Sequence, residues 1–423
     1  ISSAASDVYK RQEQNITIRK NRITAASTQI DVKTAKAALF PSLSFSTSQQ
    51  VVNRPYQETS SRVSGSEIIS SNSKTSYNGN YGLNASWTLY NGNKRLKTIQ
   101  QEKLNNQVAE LDVATSENNI QESIAQVYIQ ILYAAESVKV NESTLQVSIA
   151  QRDRGQELLN AGSIAKSDFA QLEAQVSTDR YQLVTAQATL EDYKLQLKQL
   201  LELDGENEMN IYLPALSDEN VLAPLPTKKD VYISALSLRP EIEASKLNVE
   251  ASELGIGIAK SSYLPTISLS AGIGTNHTSG SDFTFGEQVK NGWNNSIGLS
   301  VSVPIFNNRQ TKSAVQKAKL QYETSMLSLL DEQKTLYKTI EGLWLDANSA
   351  QQRYAAANEK LKSTQISYEL ISEQFNLGMK NTIELLTEKN NLLQAQQEQL
   401  QAKYMAILNT QLLKFYQGDQ LAL

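Results

Sequence analysis

The chain has 423 residues, with 40 Lys and Arg against 44 Asp and Glu, and a formal net charge of −4. The two signs are interspersed, so no basic stripe is available for a phosphate backbone and nucleic acid is not an expected partner. Because the chain has no Cys and a single His, His277, a thiolate nucleophile, a Cys/His zinc site and a Ser-His-Asp triad are hard to build. We therefore expect no enzyme activity, no cofactor and no metal.

Membrane-spanning helices are not expected, because no stretch approaches 18 consecutive apolar residues. The short, alternating strands of a membrane-spanning β-barrel would escape this criterion. The chain starts without Met and without a signal-peptide pattern, so we expect its natural N-terminus to be absent. Residues 1–12 have no counterpart in the second half and are expected to be a non-native or unstructured segment.

The two halves of the chain repeat one sequence pattern. Residues 35–44 (AKAALFPSLS) return as 259–268 (AKSSYLPTIS), and residues 81–91 (YGLNASWTLYN) return as 297–307 (IGLSVSVPIFN). Such a repeat indicates two copies of one structural unit. The predicted organisation is a first repeat at 13–203, a linker at 204–239, a second repeat at 240–417 and a C-terminal tail at 418–423.

Each repeat is predicted to contain a short helix, a long helix and a return helix. The spans 90–213 and 305–423 contain no proline and are rich in Gln, Glu, Lys, Leu and Ala, which favours long helices. Gly162 and Gly378 interrupt the two spans in matching contexts, where a left-handed residue ends one helix before the next begins. The predicted helices are 16–40, 93–159 and 165–203, then 240–264, 309–375 and 382–416. A long helix of about 65 residues measures roughly 100 Å.

Between the short and the long helix, each repeat has two strand candidates, the first of which starts after Pro41 or Pro265. Apolar residues alternate with Ser, Gly, Asn and Thr along 43–46, 81–89, 267–273 and 297–305. Period two gives one apolar face and one face of small polar residues, which suits a water-filled lumen with lipid outside. The polar segments at 49–78 and 276–291 are expected to be long loops at an exposed tip.

Four strands per chain determine the expected number of chains. An open sheet edge in lipid would leave unpaired backbone groups, so the missing strands must come from other copies. Two copies give eight strands, whose interior is filled by side chains, whereas three give twelve, wide enough for a passage. A cyclic homotrimer is therefore favoured.

In their order, spacing and duplication, these features resemble the TolC family of outer-membrane efflux proteins, over about residues 15–423. The resemblance rests on the helix ending in Ala-Lys before Phe-Pro or Leu-Pro, the strand ending in Tyr90-Asn91 or Phe306-Asn307, and the glycine hairpins. It implies a mainly α-helical fold with a β part, in which a trimer forms a 12-stranded transmembrane β-barrel and a periplasmic α-helical barrel. The linker and the C-terminal segment would form an equatorial region, and the family's first short helix and signal sequence would be lacking.

The same resemblance implies a function and a location. The chain is expected in the Gram-negative outer membrane, in contact with its lipid, extending into the periplasm. It would be a passive exit duct for efflux of small molecules or for type I secretion, joined by a periplasmic adaptor, or membrane fusion protein, to an inner-membrane transporter. The alternative is a periplasmic coiled-coil structural or adaptor protein without a channel, which gives no reason for four phase-matched, Ser-lined strands.

A periplasmic gate near the glycine turns is also implied by the resemblance. Carried over by position, its residues are Ser167, Asp168, Phe375, Lys380, Glu384 and Thr387. Asp168 and Glu384 would form a ring of six carboxylates in a trimer, which attracts cations. The alternative is that both are helix N-terminal acids favoured by the macrodipole.

Two gate positions depart from the family. Its better-known members have Tyr where Phe375 stands and a second Asp where Thr387 stands. Phe375 has no hydroxyl to bond across the hairpins, and Thr387 removes a charge, so a weaker lock and reduced cation selectivity are expected.

Aromatic residues stand at the strand ends, namely Trp87, Tyr90 and Phe306. We expect them to anchor the membrane interface, and packing against a helix is the alternative.

Overall fold

The computed structural model describes residues 14–56, 60–64, 67–71, 74–203 and 221–421. The predicted segment 1–12 and residues 204–220 of the predicted linker lie outside the described residues. The helices are α1 (Ile16–Ala37), α2 (Lys94–Asn160), α3 (Lys166–Leu200), α4 (Lys228–Leu238), α5 (Pro240–Ser261), α6 (Phe285–Asn291), α7 (Gln310–Asn376) and α8 (Thr382–Gln417). The strands are β1 (Ser42–Asn53), β2 (Ser60–Ser64), β3 (Glu67–Ser71), β4 (Thr75–Asn91), β5 (Thr266–Thr278) and β6 (Asn294–Ser302).

The predicted fold class is confirmed, with the same three helices in each half and small differences at their ends. Helices α1 and α5 stop three residues earlier than predicted, at Ala37 and Ser261. A tight turn follows each of them, in which Phe40 N–H donates to the Ala37 carbonyl and Leu264 N–H donates to the Ser261 carbonyl, both at 3.0 Å. The reason is the proline that follows, since it disfavours helical geometry in the residue before it.

Two compact units make up the chain. One comprises the chain up to Ala25, Ala109–Ser245 and the chain from Ser328 onward; the other comprises Ala26–Val108 and Lys246–Leu327. None of the described helices is long and apolar enough to cross a membrane.

The second unit contains a four-stranded antiparallel sheet in the order β1-β4-β5-β6. Its register places apolar residues beside apolar residues, and small polar residues beside small polar residues, across all four strands. One row joins Leu43, Ala85, Ala271 and Ile297, and the next row joins Ser44, Asn84, Gly272 and Ser296. The predicted phase is therefore confirmed, with one apolar face and one face of Ser, Gly and Asn. The apolar face is open to the surroundings, with Ile297 80% and Leu299 65% exposed.

The predicted loops and the last strand differ from what is observed. Strand β1 runs on to Asn53 and β4 starts at Thr75, so both extend into the segment 49–78, where β2 and β3 pair as a separate hairpin. Helix α6 lies in the segment 276–291. The polar composition of these segments indicated loops. Backbone pairing with the neighbouring strand nevertheless outweighs the low strand propensity of their side chains. Strand β6 ends at Ser302, not at residue 305, because Pro304 has no N–H to donate.

One of the buried apolar clusters of the first unit forms where α4, α5, α7 and α8 pack together. Helix α4 lies inside the predicted linker and was not predicted. Thr227 caps it by accepting from Asp230 N–H at 3.2 Å, and the Trp344 indole of α7 donates to the Pro226 carbonyl at 3.1 Å. The buried residues of this core are Val231, Ala235, Ile242, Leu336, Ile340, Ala347, Leu413 and Tyr416.

Arg239 joins α4 to α5 and is almost completely buried, with 6% of its surface exposed. Its guanidinium donates to Glu122 of α2 at 3.1 Å and to Glu241 of α5 at 2.8 Å, and lies 4.2 Å from the ring centre of Tyr416 of α8. Burial raises the pKa of Glu122, and the Arg239 guanidinium and the Tyr416 hydroxyl oppose that rise. One side chain therefore fixes four helices at this point.

Candidate functional site at the helix turns

The two predicted hairpin turns have the same backbone geometry. Gly162 and Gly378 both have φ +75°. After each of them a backbone N–H returns to the preceding helix, from Ser163 to the Leu158 carbonyl and from Met379 to the Gln374 carbonyl, both at 2.8 Å. No heavy atom lies within 4 Å of the place where a Cβ would stand on either glycine. The left-handed conformation, and not lack of space, therefore requires glycine here.

Asp168 and Glu384 occupy the third position of α3 and α8. The Asp168 carboxylate accepts from Ala165 N–H at 3.3 Å, and the Glu384 carboxylate accepts from Asn381 N–H at 3.2 Å. In turn, the Asn381 side chain caps α8, because its Oδ1 accepts from Glu384 N–H at 2.9 Å. Both acids thus satisfy a backbone donor at a helix N-terminus, where the macrodipole also favours a negative charge.

Lys380 belongs to the same turn as Glu384. Its ammonium donates to Glu384 Oε1 at 2.6 Å. This bond, together with the Asn381 N–H, holds the pKa of Glu384 below its ordinary value. The carboxylate is therefore charged at neutral pH.

The remaining predicted gate residues lie on the same two hairpins. Ser167 is exposed at the start of α3, and Thr387 is exposed on α8, where its hydroxyl donates to the Ile383 carbonyl at 2.8 Å. Phe375 is buried, with 4% of its surface exposed. Among the hydrogen bonds and ion pairs of the described residues, none of the six predicted gate residues joins the Gly162 turn to the Gly378 turn.

A polar contact between the hairpins lies farther along the helices and was not predicted. The ammonium of Lys389 on α8 bonds to the Asp179 carboxylate on α3, and both groups bond to the Ser148 hydroxyl on α2. The three residues are 3%, 1% and 2% exposed, respectively. Gln175 supports this buried cluster by donating to Asp179 Oδ1 at 2.9 Å and to Asn390 Oδ1 at 3.3 Å.

The sequence does contain one indication of the buried cluster: a charged residue stands at helical spacing from apolar residues that form the buried face of the same helix. Asp179 follows the buried residues Leu172 and Val176 at helical spacing, and Lys389 follows the buried Leu385 in the same way. Burial lowers the pKa of Lys389, and the bond to Asp179 opposes that effect. The close contact with Asp179 thus works against loss of the ammonium's charge.

The strand-start prolines and the aromatic residues lie in the second unit. Pro41 and Pro265 directly precede β1 and β5. The Trp87 indole N–H donates to the Leu39 carbonyl at 2.7 Å and so holds the turn before Pro41. Tyr90 is partly exposed, and Phe306 is 83% exposed beyond the end of β6. Trp87 is thus bonded to this turn with 39% of its surface exposed, while Phe306 presents its ring to the surroundings.

Comparison with known proteins identifies the family. The family model described as "Outer membrane efflux protein" matches residues 8–202 and 231–418. The chain is 24% identical over 294 residues to the outer membrane efflux protein BepC of Brucella suis biovar 1 (strain 1330), covering 69% of this chain and 61% of BepC. It is 23% identical over 311 residues to the outer membrane protein TolC of Escherichia coli (strain K12), covering 71% of this chain and 62% of TolC. The chain thus spans less than two thirds of either relative.

Solved structures give the same result for the fold. A CusC structure covers 98% of this chain, with 91% of its own chain matched, a TM-score of 0.82 and 18% identity. The CmeC outer membrane channel of Campylobacter jejuni covers 99% of this chain, with 87% of its own chain matched, a TM-score of 0.78 and 18% identity. The outer-membrane localisation expected from the sequence is confirmed at the level of the family. With most of both repeats matched by one family model, the chain belongs to the outer membrane efflux protein family.

Proposed function

We propose that the chain is one subunit of a homotrimeric exit duct, which carries small molecules or secreted proteins out through the outer membrane without catalysing a reaction. The observation that carries this proposal is the sheet. Its apolar residues and its small polar residues occupy opposite faces in register across four strands, and the apolar face is exposed. Lipid would cover the first face and water would fill the lumen beside the second.

The number of subunits follows from the edges of the sheet. Strands β1 and β6 stand at the two ends of the order β1-β4-β5-β6, and each has one side without a partner strand among the described residues. In lipid these edges would have to pair with another copy, and twelve strands from three copies would leave a passage. Residues 13–203 and 240–417 would then be two copies of one unit that contribute equally to the ring.

The hairpin turns would form the periplasmic gate. In a trimer, Asp168 and Glu384 would give six carboxylates at the constriction, with Ser167, Phe375, Lys380 and Thr387 around them. A periplasmic adaptor would join the duct to an inner-membrane transporter that supplies the driving force. Membership of a family of efflux channels supports both parts of this proposal.

Purification in detergent tests the proposal. We expect a trimer of about three times the chain mass of 46.9 kDa, which forms conducting pores in planar bilayers. Co-purification from native membranes is expected to recover an adaptor and an inner-membrane transporter. A monomer that is stable without detergent and carries no current would contradict the duct and would favour a periplasmic structural protein.

A further inference from the structure

A layer of polar contacts crosses the helical hairpins at the level of the buried cluster. Besides Ser148, Asp179 and Lys389, it contains Gln151 of α2, whose amide donates to the Tyr368 hydroxyl of α7 at 2.9 Å. Ser367 of α7 donates to Glu388 of α8 at 3.1 Å. The polar layer thus connects α2, α3, α7 and α8. The bond from Gln175 to Asn390 belongs to the same layer.

The surroundings of the buried cluster make it hard to separate. The neighbouring turns of the same helices carry the buried apolar residues Leu145, Val176, Leu385 and Leu392. If α3 moved away from α8, Asp179 and Lys389 would each be left as an unpaired charge in an apolar environment, which is a severe defect. The polar layer therefore favours a single spacing and register of the two return helices.

No comparable polar contact joins the two turns within the part of the chain that the structure describes. The buried cluster lies about three to five helical turns from Gly162 and Gly378 along the chain. Between the cluster and the glycines, the predicted gate residues bond within their own hairpins, as in the pair Lys380 and Glu384. The hairpins are thus fastened to each other at the polar layer, while their ends carry no comparable polar connection among the described residues.

We propose that the polar layer is a permanent fastening between the two hairpins of one chain, which confines the opening movement to the segments between the layer and the turns. This inference rests on the proposed function, since it concerns how the duct opens. It assigns Lys389 and Asp179 a positioning role: they fix a boundary beyond which the helices keep one arrangement.

Spin labels test the fastening without requiring any current. The chain has no native Cys, so labelled cysteines can be placed at will. One pair, Ala170→Cys with Ile383→Cys, lies on the turn side of the layer, and the other pair, Gln187→Cys with Gln394→Cys, lies beyond it. All four positions are exposed. With labelled chains diluted into unlabelled trimers, pulsed EPR should give a broad distance distribution for the first pair and a narrow one for the second.

Substitutions then test the role of the charges. Lys389→Met should at least double the width of the distribution for the pair beyond the layer and lengthen channel openings several-fold in bilayers. The matched control is Lys360→Met, which removes an exposed ion pair with Glu398 between α7 and α8 and should change neither. If Lys389→Met yields no trimer, the double variant Asp179→Leu with Lys389→Met restores an uncharged core for the same measurement, with the same broadening expected. Unchanged widths in the trimers obtained would overturn the proposal.

A cross-link separates this inference from the proposed function. In Gln175→Cys with Asn390→Cys, a reversible bis-thiol reagent should connect α3 to α8 within the polar layer and leave channel opening unchanged within two-fold. Opening that is suppressed by the cross-link and restored by reductant would show that the layer must separate, which would overturn the fastening. Wild-type trimers that carry no current at all would instead contradict the duct, while the EPR widths would still decide the fastening.

Discussion

The Lys380 ammonium lies 2.6 Å from Glu384 Oε1, one helical turn away at the start of α8. Both side chains are partly exposed, so the pair contributes little to stability. Its importance is electrostatic, because it holds an anionic carboxylate at the hairpin turn. Asp168, at the equivalent position of the first repeat, accepts from Ala165 N–H, and no ammonium of the described residues bonds to it.

Removal of either acid is expected to change ion selectivity. Glu384→Ala and Asp168→Ala should each reduce the preference of the pore for cations, or its block by multivalent cations, because each removes three charges from the ring in a trimer. Reversal potentials in planar bilayers under a salt gradient measure this. Unchanged currents and selectivity in both variants would leave the two acids with their role as helix N-terminal residues alone.

The contribution of Glu384 to selectivity should persist in acid. Because its pKa is lowered from the ordinary 4.5, more than half of the Glu384 carboxylates are still charged at pH 4.5, and they become neutral only as the pH falls through the lower value. Cation selectivity should therefore be retained at pH 4.5 and decline below it. Lys380→Met should move this decline to higher pH, toward the ordinary range. A decline at the same pH in both proteins would show that Lys380 does not determine the charge of Glu384.

Alanine at a turn glycine should destabilise the hairpin. Gly378→Ala forces a Cβ into the left-handed region, at about 1–2 kcal/mol. Gly342→Ala is the matched control, since Gly342 lies inside α7 with nothing within 4 Å of the new methyl, and helix propensity predicts stabilisation by about 0.8 kcal/mol. Denaturant unfolding of the detergent-solubilised protein gives both values. Equal effects of the two changes would contradict the assignment of the turn.

Arg239 should be far more sensitive to substitution than an exposed cation. Arg239→Met leaves Glu122 and Glu241 without their shared guanidinium and should cost about 3–5 kcal/mol. Lys360→Met removes a half-exposed ion pair and should cost less than about 1 kcal/mol. Limited proteolysis of the 221–239 segment, together with thermal unfolding, distinguishes the two. Similar losses of stability in the two variants would show that the contacts of Arg239 with four helices contribute little to the stability of the fold.

The two faces of the sheet should respond differently to a lysine. Leu299→Lys places a charge on the exposed apolar face and should cost about 2–4 kcal/mol if that face meets lipid, so that the folded protein is depleted from outer membranes. Ser300→Lys is the control on the opposite face of the same strand and should be tolerated there. Membrane fractionation with quantitative blotting measures both. Equal tolerance of the two lysines would argue against a lipid-covered face.

Much of the fold was predictable because the signals are local and duplicated. Proline-free spans and matching glycines located α2, α3, α7 and α8 to within three residues, and alternation gave the faces of the sheet. The C-terminal end of β1 and the N-terminal end of β4 were missed because they are rich in Ser, Gln and Asn, a composition typical of loops. These two ends are strands because they pair with each other. Helix α4 was missed because Pro224 and Pro226 indicated a segment without a helix. In the structure both prolines lie before the first residue of α4.

The candidate site was predictable only in part. The positions of Gly162, Gly378, Asp168 and Glu384 followed from the repeat, but the bonds they form depend on their partners in space. Asp179 and Lys389 were not selected, because a charge on a helix is usually assigned to its solvated face. Only the packing of three helices shows that these two charges face each other in the core.

The pairing of β4 with β5 has a consequence for assembly. These strands come from different repeats, and in a closed ring of three chains the contact of β6 with β1 of the next chain would again join a second repeat to a first. The ring would then have six nearly equivalent joints, three of them already made within single chains. With duplicated chains, closing the ring would require three molecules to meet and not six, so less translational freedom would be lost.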